Sequence, residues 1–301
     1  MPTFEQLAPG RAQILRQKVE QTMQAANPEQ RSWDQLNEAQ ASGDANQLLA
    51  VAEQASSDVR SNMYQQVAWQ LANNGDLQRA RQVADKLPDP FQREQVLQQA
   101  IRQSVANAAN QGQFATARQL AQEITSEEDR AILLAQVASD AANAKQEKLA
   151  QEMLEEAGGL LLNRAAGAST FAAQLQVAQG FAHVKPARAV PLLERSASQL
   201  EQVLAAAIEM DGFLPYQRSF QGGELILANS FLCNSLIRPF ATATAELANS
   251  DLPTARILAD RISLPEARLL AELFVVRSAL GDADPQAGAV LGVPNLVTVL
   301  Q

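Results

Sequence analysis

The stretch that decides the fold is Gly-Asp-Leu-Gln-Arg-Ala-Arg-Gln-Val-Ala, at residues 75–84. The same pattern returns at an offset of 37, from Gly75 to Gly112, as Gly-Gln-Phe-Ala-Thr-Ala-Arg-Gln-Leu-Ala at residues 112–121. A third copy, Asp-Leu-Pro-Thr-Ala-Arg-Ile-Leu-Ala-Asp at residues 251–260, matches residues 76–85. Self-similarity at a period of roughly 33 to 37 residues is typical of repeat proteins.

One unit of the repeat is predicted to be two helices separated by a glycine. Met63, Val67 and Leu71 recur at i, i+4 and i+8 and form one apolar stripe of a helix. Gly75 favours the left-handed conformation that ends this helix, and Asp76 can cap the next one. The second helix is predicted to bury small and apolar side chains, namely Ala80, Val83, Ala84 and Leu87.

Capping signals mark the other helix starts. An N-cap followed by proline as the first helical residue is predicted at Asn27 and Pro28, and again at Asp89 and Pro90. Ser126 with Asp129, and Ser263 with Glu266, predict two further starts. Alanine recurs in each copy where two helices must approach closely, at Ala80, Ala117 and Ala255.

These signals together predict an all-α protein, an α/α superhelix (solenoid) of stacked antiparallel helix hairpins. The pattern of glycine and alanine five positions apart, with Trp69 and Leu71 shortly before it, resembles the tetratricopeptide repeat (TPR). The resemblance covers roughly residues 40–157 and 240–280. It implies a TPR-like superhelix that holds partner peptides in a concave groove.

The predicted organisation is one elongated helical-repeat domain over residues 1–301. Its expected segments are regular repeats at 1–157, irregular helices at 158–240, a C-terminal repeat at 241–282 and an irregular tail at 283–301. The irregular part begins where Gly158 and Gly159 are expected to interrupt a helix. It also holds an apolar stretch, 224–237, which predicts a helix buried on most sides.

Composition and charge exclude several classes of function. The chain carries 24 Lys and Arg against 33 Asp and Glu, a formal net charge of −9. Nucleic-acid binding needs a basic surface to neutralise phosphates, and the cations here are scattered singly. We therefore expect no nucleic-acid partner. The longest apolar run, residues 225–237, is shorter than the roughly 20 residues that span a bilayer, so no membrane span is expected.

The loop at 210–223 differs from the rest of the chain because it is rich in glycine and aromatic residues. Long loops are uncommon in compact domains and often functional. One hypothesis is that the loop grips a partner, since Tyr and Arg are common interface anchors. Its candidate partner-binding residues are Asp211, Phe213, Tyr216, Arg218 and Phe220. The alternative, which we favour, is that the aromatic side chains fill a gap between helices.

The sequence contains no catalytic or metal-binding constellation. The single histidine, His183, stands near a predicted helix end, and the single cysteine, Cys233, lies in an apolar segment. One His and one Cys cannot supply the Cys/His sets that usually bind zinc. The sequence also lacks a phosphate loop, a dinucleotide fingerprint and a nucleophile elbow. We therefore expect no catalytic residue, no cofactor and no metal.

Arginines recur at the start of the helix that follows each repeat, at Arg93, Arg130 and Arg268. A cation is unfavourable at the positive end of a helix dipole, so these side chains should reach elsewhere. We predict that they bond the carbonyl groups that end the preceding helix. A row of arginines that binds an acidic partner is the alternative.

The expected function is that of a non-enzymatic scaffold or adaptor that binds a protein or peptide. A helical enzyme or small-ligand-binding protein, with its site near the 210–223 loop, is one alternative. A purely structural exported protein is another. Residues 1–5 lack the basic and apolar regions of a signal peptide. The localisation stays open between the cytoplasm and, if such a signal has been removed, export.

Overall fold

Helices account for most of the described structure. A computed structural model of the chain describes Lys18 and residues 44–55, 57–161, 164–211, 213, 219–221, 223–227 and 230–281. In this part of the chain, regular strands occur only as one short hairpin, so the all-α prediction is confirmed. Asn27 and Pro28, another predicted helix start, and the tail at 283–301 lie outside the described residues.

The chain divides into two compact units, Met1–Ser104 and Val105–Gln301. The first contains α1 (Ala45–Gln54), α2 (Ser57–Asn73), α3 (Leu77–Ala84) and the first part of α4 (Pro90–Asn110). In this unit α1 and α3 both contact α2. Their apolar faces form one core, whose fully buried members include Leu48, Met63 and Leu87.

The second unit contains eight further helices among its described residues. They are α5 (Phe114–Ala121), α6 (Glu127–Asn143), α7 (Glu147–Leu160), α8 (Ala168–Val184), α9 (Pro186–Met210), α10 (Arg238–Ala248), α11 (Leu252–Asp260) and α12 (Pro265–Ala279). Each contacts the next along the chain, and α6, α8, α10 and α12 also contact one another in succession. Each helix therefore packs against its neighbours along the chain, and alternate helices also pack against one another.

Three helices end in the same way, at positions one repeat apart. Gly75, Gly112 and Lys145 have positive φ angles of 83°, 73° and 63°. Each follows a helix and donates its backbone N–H to a carbonyl three residues earlier, at 2.8–3.0 Å, and the residue after it donates to a carbonyl five residues earlier. This pair of hydrogen bonds is the Schellman motif, which satisfies carbonyl groups at a helix end.

Most of the predicted caps are confirmed. Asp76 accepts a hydrogen bond from Arg79 N at 3.0 Å, Asp89 from Phe91 N at 2.9 Å and Ser126 from Asp129 N at 3.2 Å. The prediction for Ser263 is wrong, because α12 begins one residue later, with Leu264 as its N-cap. The backbone N–H of Ser263 instead donates to Glu201 Oε1 at 2.8 Å. The predicted close-packed alanines, Ala80, Ala117 and Ala255, are fully buried.

Two predictions for the irregular part are wrong. Helix α7 continues through Gly158 and Gly159 and ends at Leu160. The helix expected over 224–237 begins only at 231, because 224–225 form a strand, β2 (Glu224–Leu225). This strand pairs antiparallel with β1 (Phe220–Gln221), and Gly223 between them has a φ of 87°. A positive φ favours a tight turn there over a helix start.

Candidate functional site

One groove of the first unit lies between α2 and α4, and we call it the α2–α4 groove. It has a volume of about 750 Å³. Two aromatic side chains, Trp69 and Phe91, line it together with side-chain amides and two charged groups. Trp69 is 46% exposed and Phe91 is 69% exposed. Large aromatic side chains usually lie in the core, so two of them in one open groove mark a candidate binding surface.

The position of Trp69 follows from the period of α2. Met63, Val67 and Leu71 face the core and are buried. Trp69 comes two residues after Val67, which places it about 200° around the helix from that side chain. The aromatic side chain of Trp69 therefore stands on the outer face of α2. A large aromatic residue out of phase with the apolar stripe was the sequence signal for this site.

Phe91 is held at the start of α4. Asp89 caps this helix by accepting a hydrogen bond from Phe91 N, and Pro90 is its first residue. Arg93, one turn further, donates from Nη2 to the carbonyl of Leu87 at 2.8 Å. This bond ties the first turn of α4 to the chain that leaves α3. Phe91 lies in this tied first turn.

The bond from Arg93 confirms the prediction that this arginine binds a carbonyl at the preceding helix end. Arg60 makes the same contact 33 residues earlier, from both Nε and Nη2 to the carbonyl of Ala55, at 3.1 and 2.6 Å. Arg268 differs, since its partner is Glu272 at 3.8 Å. Arg130 has a buried Nε without a hydrogen-bond partner in the described structure. Among the described residues, the predicted carbonyl contact is therefore confirmed for Arg93 and not for Arg130 or Arg268.

The polar lining of the α2–α4 groove is made mainly of amides, supplied by Asn73, Gln95, Gln98, Gln99 and Gln103. An amide side chain donates and accepts hydrogen bonds, which suits the N–H and C=O groups of a peptide backbone. Glu94 and Arg102 add one charge of each sign. Glu94 Oε1 accepts a hydrogen bond from Gln98 Nε2 at 2.9 Å. The groove thus offers apolar area and hydrogen bonds without a dominant charge.

The residues that the sequence proposed in the 210–223 loop have different environments. Asp211 and Phe213 are exposed, and Phe213 is 77% exposed. Phe220 is buried in β1, opposite Leu225 of β2. The hairpin is attached to α12, because Leu225 N donates to Glu266 Oε1 at 3.4 Å. Tyr216 and Arg218 lie outside the described residues.

His183 and Cys233 have ordinary structural surroundings. His183 lies in the last turn of α8, and its Nδ1 is 3.1 Å from Glu246 Oε1 of α10. Cys233 is fully buried, and this burial raises the pKa of its thiol. Among the described residues, no group of three or more His, Cys, Asp or Glu side chains is placed to hold a metal ion. Within the same ranges, no helix has both the length and the apolar character to cross a bilayer.

The α2–α4 groove is therefore the surface with the clearest binding character in the described part of the first unit. Its features are exposed aromatic rings, amide groups and balanced charge. Comparisons of the chain with protein-family models, with curated proteins and with solved structures found no significant match.

Proposed function

We propose that this protein is a non-enzymatic scaffold that binds a protein or peptide partner, and that the α2–α4 groove receives a peptide segment. The observation that carries this proposal is the exposure of Trp69 and Phe91 in one groove. Aromatic residues are enriched at protein interfaces, where they supply much of the binding free energy. The partner segment should carry a bulky apolar side chain, which these two rings would contact.

The amide lining supports a peptide as the occupant. Backbone groups of a bound peptide lose water, and each needs a hydrogen-bond partner. Gln95, Gln99 and Gln103 lie on one side of α4, at intervals of four residues, and all three line the groove. Their amides would satisfy successive backbone groups of the peptide, while the single charges of Glu94 and Arg102 would set its orientation.

The repeat supports the scaffold role. Side-chain contacts link elements 33 residues apart in the first unit, where Arg79 bonds Asn46 and Lys86 bonds Glu53 at 2.6 Å. In the second unit such contacts link elements 34 residues apart, because Arg118 donates a hydrogen bond to Glu152 at 3.3 Å. This spacing is the repeat period, as a TPR-like α/α superhelix requires. Such superhelices present extended concave surfaces to partners.

The test is selection from a library of random peptides displayed on phage, with the full chain as bait. Selected peptides should share a bulky apolar position, and their affinity should fall at least about thirtyfold in Trp69→Ala or Phe91→Ala, as for an interface anchor. Affinity is measured by fluorescence anisotropy of labelled peptides. The helical circular dichroism of both variants should remain unchanged, because the substituted side chains are exposed.

The matched control is Phe213→Ala, which removes from the 210–223 loop a phenyl ring that is 77% exposed, against 69% for Phe91. Binding should be unaffected by this change. Loss of affinity with Phe213→Ala and none with Phe91→Ala would assign the site to the loop instead. Failure to select any peptide whose binding depends on Trp69 or Phe91 would refute the role of the α2–α4 groove.

A further inference from the structure

Helix α12 carries a row of exposed apolar side chains, which we call the α12 stripe. It consists of Leu269, Leu273, Val276 and, at the C-cap, Leu280, which are 53%, 39%, 50% and 79% exposed. At 3.6 residues per turn these positions span only about 60° of the helix surface. They therefore form one continuous strip from Leu269 to the C-terminal end of α12.

The opposite side of α12 is already buried. Ala267, Ala271 and Val275 face the interior of the second unit, and Ala271 packs in a cluster with Ala241 and Ala259. A surface helix normally has one apolar face and one polar face. A helix that is apolar on both sides is typical of an internal position. We therefore expect another segment of chain to cover the α12 stripe.

The stripe continues into a groove between α11 and α12. Val276 and Leu280 of α12 line it together with Leu252 of α11. Three charged side chains, Arg256, Asp260 and Glu272, line it as well. The groove has a volume of about 360 Å³, enough for several side chains but not for a further helix pair.

The sequence that follows α12 has the composition of such a covering segment. Residues 282–301 carry charge only at Asp282 and Asp284. From 290 onward the chain is uncharged and rich in large aliphatic residues, namely Val290, Leu291, Val293, Leu296, Val297, Val299 and Leu300. Burial of these side chains against the α12 stripe would remove apolar surface of both from water.

Residues 282–289 connect α12 to the apolar segment, and they are few enough to favour contact between the two within one molecule. Gly281, with a φ of 77°, follows the C-cap Leu280 at the end of α12. Residues 282–289 reach about 26 Å when extended, whereas the 15 residues of α12 span about 22 Å. The segment from 290 onward can therefore return along the whole stripe. A tether of this length gives an effective concentration in the millimolar range.

We propose that residues 290–300 fold back onto the α12 stripe and the groove beside it, and so cap the last helix pair of the repeat. Terminal repeats need such a cap, because an apolar face without a neighbour lowers solubility. The proposal concerns the second unit alone and does not depend on the peptide groove of the first. A second copy of the chain is the competing occupant.

Hydrogen exchange of the full chain, followed by mass spectrometry, tests this proposal. Amides in 290–300 should exchange about tenfold or more slowly than in a synthetic peptide of residues 282–301. In the double variant Val276→Glu and Leu280→Glu this protection should be lost. The reciprocal tail variant, Leu296→Glu with Val297→Glu, should increase exchange in the tail and leave α12 helical.

The matched control is Ile208→Glu with Met210→Glu, at two apolar positions in α9 that are each 50% exposed. Tail protection should survive this change. Rapid exchange of residues 290–300 in the unaltered chain would overturn the proposal. Protection that increases with protein concentration, together with a dimer in sedimentation velocity, would assign the α12 stripe to a second copy and would equally overturn it.

Discussion

Gly180 shows how a single residue sets the spacing of two helices. It is buried in α8, and a Cβ atom at this position would lie 2.5 Å from Leu154 Cδ2 of α7. Leu154 is fully buried, so its side chain has little room to move aside. Glycine is unfavourable inside a helix, by about 1 kcal/mol relative to alanine. The close approach of the two helices explains its presence here.

We predict that Gly180→Ala destabilises the protein. Overpacking of a well-packed core costs about 1–3 kcal/mol, which exceeds the helix-propensity gain of about 1 kcal/mol. A net loss near 1 kcal/mol would lower the thermal midpoint of a unit of this size by about 2–4 °C. Differential scanning calorimetry measures this shift.

The same substitution in a Leu154→Ala background provides the control. Leu154→Ala alone should cost about 2–5 kcal/mol, because it leaves a cavity. In that background the added methyl group occupies free space, so Gly180→Ala should become neutral or stabilising. An equal effect of Gly180→Ala in both backgrounds would contradict the contact as the cause.

Helix ends are the features of this repeat that recur most regularly. Gly75, Gly112 and Lys145 occupy the same left-handed position in three successive Schellman motifs. Lysine is strained there, since the left-handed conformation costs about 1–2 kcal/mol for a residue with a Cβ atom. The third copy keeps the turn because the two backbone hydrogen bonds and the packing of α6 against α7 hold it.

We predict that Lys145→Gly stabilises the protein. Relief of the left-handed strain outweighs the added entropy of glycine in the unfolded chain, about 0.5–1 kcal/mol, for a net gain of about 0.5–1 kcal/mol. Urea denaturation measures the change. Gln136→Gly, at an exposed position inside α6, should have the opposite sign. A loss of stability with Lys145→Gly would show that strain at this position is negligible.

At the scale of the whole molecule, net charge constrains the choice of partners. The chain carries a formal charge of −9, and several arginines are held by acidic side chains of neighbouring helices. Arg118 is an example, because Glu156 at 2.8 Å and Glu152 at 3.3 Å both bind its guanidinium group and raise its pKa. Such pairs leave little positive charge for phosphates.

We predict that the protein binds neither DNA nor RNA. At about 0.15 M salt, electrophoretic mobility-shift assays with double-stranded and single-stranded probes should show no complex, because few phosphates can be neutralised. A titration at lower salt serves as the control for weak electrostatic attraction. Micromolar, salt-sensitive binding would mean that a basic surface exists outside the described residues.

The sequence by itself determined the local features of this protein. The apolar stripe of α2, the caps at Asp76, Asp89 and Ser126, and the glycine turns each depend on residues a few positions apart. The repeat strengthened these predictions, because the same signal recurs at equivalent positions of several copies. The buried alanines were also predictable, since a small residue that recurs at the period of the repeat indicates close packing.

The tertiary structure decided the features that depend on distant residues. Nothing local distinguishes Gly180 from other glycines, because its constraint is Leu154 on another helix. The hairpin at 220–225 stands where a helix start was expected, and its contact with Glu266 is 41 residues beyond Leu225. The α2–α4 groove likewise forms only when Trp69 and Phe91, on separate helices, come to line one surface. Periodicity along the chain reports which side of a helix is apolar, but not which partner covers it.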